Sequence, residues 1–232
     1  MTRSAGHGDY HPIVLAPASV QEAIDFTLLA FSLAEKYRHL VILAADGQIG
    51  QMMEPAELPP MLPVASERPG WALTGARGRG KNVVSSLHLR AEEEEIANQR
   101  IQARLQAIKA NEQRSVEYAT EDAELLVMGF GTAGRIASSA VEAARVQGLK
   151  VGLLRPQTLY PFPVDRLAHL SQRVRGCLVV EMNAGQMVED VGLALAGRLP
   201  VSFYGRMGGM IPMPDEVLTA IEEAHGLFTA VV

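Results

Sequence analysis

Residues 124–156 read ELLVMGFGTAGRIASSAVEAARVQGLKVGLLRP, and this stretch decides the fold. Leu125 to Met128 is an unbroken apolar run, and Gly129, Gly131 and Gly134 follow it with G-x-G-x-x-G spacing. Ala133 to Gln147 then carries a helical pattern that stops at Gly148, before a second apolar run from Val151 to Leu154. This order specifies a β-α-β unit with a sharp strand-to-helix turn. In a dinucleotide-binding unit an acid at the end of the second strand bonds the ribose hydroxyls. Here Leu154, Arg155 and Pro156 stand in that place. Two readings stay open from these residues: an NADP-binding oxidoreductase domain in which Arg155 meets the 2′-phosphate, or glycines that only permit the turn and close helix packing.

Downstream the alternation continues. Pro163 to Val174 is expected as helix, Cys177 to Glu181 as strand, Met187 to Leu195 as helix and Val201 to Tyr204 as strand. Pro214, Asp215 and Glu216 suit the opening turn of a last helix. Repeated β-α alternation predicts an α/β domain over 121–232 with a doubly wound parallel sheet.

Upstream, residues 55–120 read as a connector. The segment EPAELPPMLPVASERPG excludes regular helix and central strand, and LTGARGRGKN is a basic glycine loop. Residues 90–114 form a strongly helical run with acids early and bases late. Its sparse apolar positions, Ile96, Ile101, Leu105 and Ile108, predict one narrow packed stripe. Residues 1–54 open with a short β-type run, Ile13 to Ala16. Ser19 and Glu22 then have capping-box spacing ahead of a helix, and HLVILAAD is a buried strand ending at Asp46. Such a parallel pair needs neighbouring strands.

The composition narrows the function. A net charge of −5 and pI near 5.7 argue against nucleic acid or an anionic membrane as partner. No segment has the ~20 uninterrupted apolar residues of a membrane span. The first residues lack an apolar signal core, and the location is expected to be cytoplasmic. The single cysteine, Cys177, excludes an internal disulfide and a cluster held by cysteines of this chain alone. His7, Asp9 and His11 could gather around a metal, but the glycine-rich segment reads as loop and no metal site is assigned. The motif VVEMNAGQMVED places Glu181 and Asn183 at the C-terminal end of a strand, the edge where open α/β sheets dock ligands or partners.

The chain resembles the C-terminal part of the alpha subunit of 2-oxoacid:ferredoxin oxidoreductases, nearest the 2-oxoisovalerate (branched-chain) type. The resemblance is carried by GDYHPIVLAPASVQEAIDFT, DGQIGQMMEP and WALTGARGRGKNVVSSLHL. It continues through NEQRSVEYATEDAELLVMGFGTAGRIA, VGLLRPQTLYPFP, VVEMNAGQMVEDV and FYGRMGGMIPMPDEV. It implies a thiamine-diphosphate enzyme that decarboxylates a 2-oxoacid oxidatively, forms an acyl-CoA and reduces ferredoxin through iron–sulfur clusters. Residues 1–54 would be the remnant of a pyrimidine-binding domain, and 121–232 a transketolase C-terminal-like domain without a dinucleotide. The chain begins at the last β-α-β portion of the first of these, so no catalytic glutamate is transferred to it, and it is expected to be inactive alone. The cofactor, its divalent metal and the clusters are expected in the full complex with beta-type and cluster-carrying subunits, and none on this chain by itself. Exposed sheet edges favour pairing with a partner or in a homodimer. The residues expected at contacts are Asp46, Gly47 and Gln48 at one sheet edge, and Glu181, Asn183, Gly185 and Gln186 in EMNAGQM. A non-catalytic assembly module is the remaining alternative.

Overall fold

The computed structural model describes residues 6–61 and 68–229. In chain order the elements are β1 (Ile13–Leu15), α1 (Val20–Tyr37), β2 (Val41–Leu43), α2 (Ala91–Asn111), β3 (Ser115–Tyr118), β4 (Leu125–Met128) and α3 (Gly131–Val146). They continue with β5 (Val151–Pro156), β6 (Thr158–Tyr160), α4 (Val164–Leu170), β7 (Gly176–Glu181), α5 (Met187–Leu195), β8 (Val201–Gly205) and α6 (Pro214–Thr229).

The expected parallel sheet is present, in the order β3-β5-β4-β7-β8. Strand β4 lies at its centre, parallel to β5 and β7, and β8 pairs parallel to β7. All residues of β4 are buried because helices cover both faces. Leu126, Met128, Leu154 and Val179 face α4 and α5, where they meet Leu167, Leu170, Met187 and Val191. The alternate residues, Leu125, Val127, Leu153 and Val180, face α3 and α6 through Ala137, Val141, Val217 and Ile221. The period of two in the strands thus sorts side chains to two helical layers. Each large aliphatic side chain buried this way contributes roughly 1.5–3 kcal/mol of transfer free energy.

A second, smaller sheet has the order β2-β1-β6. Strands β1 and β2 are parallel, as expected, and the neighbour they need comes from β6, antiparallel to β1. Only Gln157 separates β5 from β6, so the chain steps from one sheet into the other within one residue. Gln157 fixes the step, its N–H donating to the Arg114 carbonyl and its carbonyl accepting from Ala16 N–H. Leu105 and Ile108 of α2 pack with Ile13, Leu15, Phe26 and Leu33, with Ile101 beside them, so this part of the predicted narrow stripe lands on the small sheet while Ile96 stays exposed.

The structure departs from the sequence reading at four places. Strand β3 lies inside the expected connector and pairs antiparallel to β5, closing one edge of the large sheet. Strand β6 lies inside the expected second domain but belongs to the small sheet. Helix α4 ends at Leu170 rather than Val174, the chain turning through 171–173. The strand expected to be buried and to run to Asp46 is confined to Val41–Leu43 and lies at the edge of the small sheet, with Val41 and Ile42 half-buried and Leu43 exposed. Between β2 and α2 the described residues contain no helix or strand, as the proline and glycine content requires.

Candidate functional site

The turn of GFGTAG lies where the small sheet meets the large one. Gly131 opens α3 at φ 54°, in the left-handed region that a side chain disfavours. Gly129 and Gly134 meet backbone to backbone, since a Cβ on Gly134 would lie 2.7 Å from the Gly129 carbonyl oxygen. This is the close approach that the fingerprint spacing provides. What sits on the helix N-terminus, however, is a carboxylate of the same chain. Thr132 donates its N–H to Asp46 Oδ2 and its hydroxyl to Oδ1, each at 2.8 Å. The N–H groups of Gln48 and Ile49 donate to Asp46 Oδ1 at 3.1 and 3.0 Å. Asp46 thereby takes the position where a dinucleotide would place its pyrophosphate, satisfying the positive end of the helix dipole. A Cβ on Gly131 would come within 2.6 Å of Asp46 Oδ2, so the glycine also makes room for the carboxylate.

Arg155, the residue that kept NADP open, is engaged in the same seam. Its guanidinium donates to both oxygens of Glu22, at 2.9 and 2.6 Å, and Gln157 Nε2 donates to Glu22 Oε1 at 3.0 Å. Glu22 also accepts from Ala18 N–H at 2.8 Å while its own N–H donates to Ser19 Oγ at 3.1 Å. The predicted capping box thus keeps its Ser19 half, while the return bond of Glu22 reaches Ala18, one residue early, and the carboxylate doubles as a bridge to β5. Burial works to raise the Glu22 carboxyl, but Arg155, Ala18 and Gln157 outweigh it and hold the group below the usual carboxylate range. A third link joins Arg135 of α3 to Glu54 at 2.5 Å. The other Glu54 oxygen accepts from Val20 N–H at 3.0 Å. The NADP reading therefore loses both features that supported it: the helix N-terminus holds Asp46, and Arg155 holds Glu22.

The EMNAGQM motif forms a separate cluster at the end of β7. Glu181 is 0% exposed. It accepts from Met187 N–H and Val188 N–H at 2.9 Å, from Gln186 N–H at 3.2 Å and from Asn183 Nδ2 at 2.9 Å. A carboxylate so placed caps the start of α5. Asn183 Oδ1 accepts from Gly185 N–H at 2.8 Å, and Gly185 adopts φ 101°. The surface of this motif belongs to Gln186 and Ala184, both exposed. At the other position Gly47 and Gln48 are exposed while Asp46 is turned into the seam. Among the described residues no hydrogen bond or ion pair joins the two groups.

Sequence reasoning missed Glu112. Its side chain is 2% exposed and meets Lys36 Nζ and Tyr37 Oη at 2.7 Å and Arg114 at 2.9 Å. These bonds outweigh burial and hold the Glu112 carboxyl low. Its partners lie up to 76 residues away, so no local signal marked it. Glu22 was legible only as a capping acid, and nothing in its local sequence singled out Glu54. Among the described residues no group of His, Cys, Asp or Glu could hold a metal, and His11 of the terminal motif stacks on Tyr160 at 4.8 Å. Cys177 is fully buried, which pushes its thiol up to about 12 and leaves it a packing residue. Among the described residues no helix is long and apolar enough to cross a membrane.

A family model described as pyruvate flavodoxin/ferredoxin oxidoreductase, thiamine diphosphate-binding, matches residues 1–69. One described as pyruvate:ferredoxin oxidoreductase core domain II matches residues 123–217. The ketoisovalerate oxidoreductase subunit VorB of Methanothermobacter marburgensis is 43% identical over 226 residues, 97% of this chain and 64% of that protein. The 2-oxoglutarate synthase subunit KorA of Methanocaldococcus jannaschii is 32% identical over 249 residues, covering 94% of this chain and 65% of its own. Among solved structures, a 2-oxoglutarate:ferredoxin oxidoreductase from Magnetococcus marinus superposes with a TM-score of 0.73 over 95% of this chain and 43% of that one. At 19% identity that likeness speaks for the fold. The chain spans 64% of the length of the ketoisovalerate relative.

Proposed function

We propose that the chain belongs to the 2-oxoacid:ferredoxin oxidoreductase family and is the C-terminal portion of the alpha subunit of a thiamine-diphosphate-dependent enzyme. The assembled enzyme would convert a 2-oxoacid to its acyl-CoA, and the branched-chain 2-oxoisovalerate is favoured. The observation that carries the substrate class is the 43% identity to a ketoisovalerate subunit along nearly the whole chain. Beta-type and cluster-carrying subunits, with ferredoxin as acceptor and coenzyme A as co-substrate, complete this reading. A reducing cytoplasmic setting suits the lone buried Cys177.

The described residues do not by themselves make a thiamine site. Activation of the cofactor's aminopyrimidine needs a carboxyl group withdrawn from water and free to touch the ring. Among the described residues, every acid that is buried or of intermediate exposure is engaged within the chain. Asp46 meets Thr132; Glu22, Glu54, Glu117 and Glu216 meet arginines. Glu112 and Glu124 meet lysines, Glu181 caps α5, and Asp190 has a partner of its own. We therefore assign the cofactor, its divalent metal and the iron–sulfur clusters to the assembled enzyme. In that enzyme the seam around Asp46 and the exposed tips Gly47, Gln48 and Gln186 act as structural and contact elements.

Co-expression with beta-type and cluster-carrying subunits, with and without a polypeptide supplying the portion of the relatives outside this match, tests the reading. The complete set should reduce a ferredoxin-type acceptor in a reaction that requires 3-methyl-2-oxobutanoate and coenzyme A. A complex that forms yet turns over no 2-oxoacid would sink the proposal and leave the assembly-module alternative.

A further inference from the structure

Residues 7–10, the end of α1, residues 83–88 and the middle of α2 enclose a cleft of about 650 Å3. It belongs neither to the seam nor to the α5 cap. Arg38, Arg100 and Arg104 line it, and among the described residues none of them forms an ion pair. Arg104 breaks a pattern that the other described arginines of similar exposure keep. The other arginines of intermediate exposure, Arg114, Arg145, Arg155, Arg166 and Arg206, each pair with a carboxylate. Arg104 instead donates to the Arg38 carbonyl at 2.9 Å. Burial and the neighbouring Arg38 charge both lower its affinity for its proton. A partly dehydrated guanidinium beside a second, exposed one is a costly arrangement until an anion completes it.

The arrangement is also fixed in place. Arg38 ends α1 in the left-handed region at φ 44°, unusual for a residue with a side chain, and its guanidinium lies over the Trp71 ring at 5.5 Å. Ser86 and His88 bring further polar groups to the same cleft, while Asp9 and Glu94 supply acceptors. We propose that this cleft binds a phosphate-bearing small molecule, with Arg38, Arg100 and Arg104 holding the phosphate. The guanidinium fork matches phosphate oxygens in two-point contacts, and the volume lies in the range of small-ligand sites, roughly 300–1,000 Å3. Asp9 and Glu94 would accept hydrogen bonds from hydroxyl or amino groups of the same ligand. The proposal does not depend on the oxidoreductase reading.

Calorimetric titration of the full chain at low ionic strength with pyrophosphate, ADP and adenosine tests it. Pyrophosphate and ADP should bind saturably, adenosine should not, and added salt should weaken both anions. Arg104→Gln should lower the affinity by about tenfold or more. Because Arg104 also bonds the end of α1, the exposed Arg100→Gln gives a second reading and should lose several-fold in affinity with an unchanged melting temperature. The proposal is overturned by the absence of saturable binding at millimolar anion or by affinities that neither variant changes. A glutamate-rich peptide that binds where pyrophosphate does not would overturn it as well.

Discussion

Arg155 at the seam and Arg104 in the α2 cleft are both partly withdrawn from water, yet they sit in opposite surroundings. Arg155 meets Glu22 through two nitrogens and is only 12% exposed. Arg104 meets a backbone carbonyl and faces a second arginine. The first arrangement is closed: donors, acceptors and charges balance within the chain. The second is open and balances only with something brought from outside. The difference separates charge that holds this fold together from charge that the fold leaves on offer.

Breaking the closed side should have the largest effect. Glu22→Ala leaves Arg155 buried without its counter-charge and removes the bonds that Glu22 accepts from Ala18 N–H and Gln157 Nε2, and it should cost about 3 kcal/mol. Denaturant titration checks this, and a midpoint within error of the parent would show that the seam is not structural. Gly131→Ala follows. It combines positive φ with a Cβ placed against Asp46 Oδ2, for a loss of about 2 kcal/mol.

Acid reaches the same bonds more gradually. Glu22 and Glu112 titrate below the ordinary glutamate value of 4.5 in the folded chain. Their contribution is therefore complete above that value and declines as pH falls through the lower folded values. Stability measured from pH 6 downward should fall along that course, and Glu22→Gln should flatten the decline. The smallest effect belongs to the open side. Arg104→Gln removes a like-charge contact together with one hydrogen bond, and should change stability by no more than about 0.5 kcal/mol. A large loss there would move Arg104 to the structural side of the contrast.

Much of this was legible in the sequence, and the limits have physical causes. The large sheet announced itself because β4, β5 and β7 are covered on both faces, which turns each into an apolar run followed by a helical pattern. Strands β3 and β6 did not, being 4 and 3 residues long and defined by partners far along the chain. The glycine spacing correctly foretold a tight turn, and the arginine at its second strand correctly raised doubt about a ribose acid. That Asp46 would fill the turn was out of reach, since it stands 86 residues before Thr132. Asp46 could be read as the end of a strand and as a contact residue, without the partner it meets. The two family models meet at this contact, Asp46 lying in the segment matched by one and Thr132 in that matched by the other.

An anion bound by its own chain behaves differently from one bound from solution. Its local concentration is set by the tether, so dilution, dialysis and metabolite levels leave it unchanged. A diffusible ligand adds to stability in proportion to the logarithm of its concentration, and a covalently carried one adds a constant. The second domain can therefore complete its helix N-terminus during folding itself, in a cell rich in nucleotides or poor in them. Any dinucleotide seeking that turn would first have to evict a competitor that never leaves.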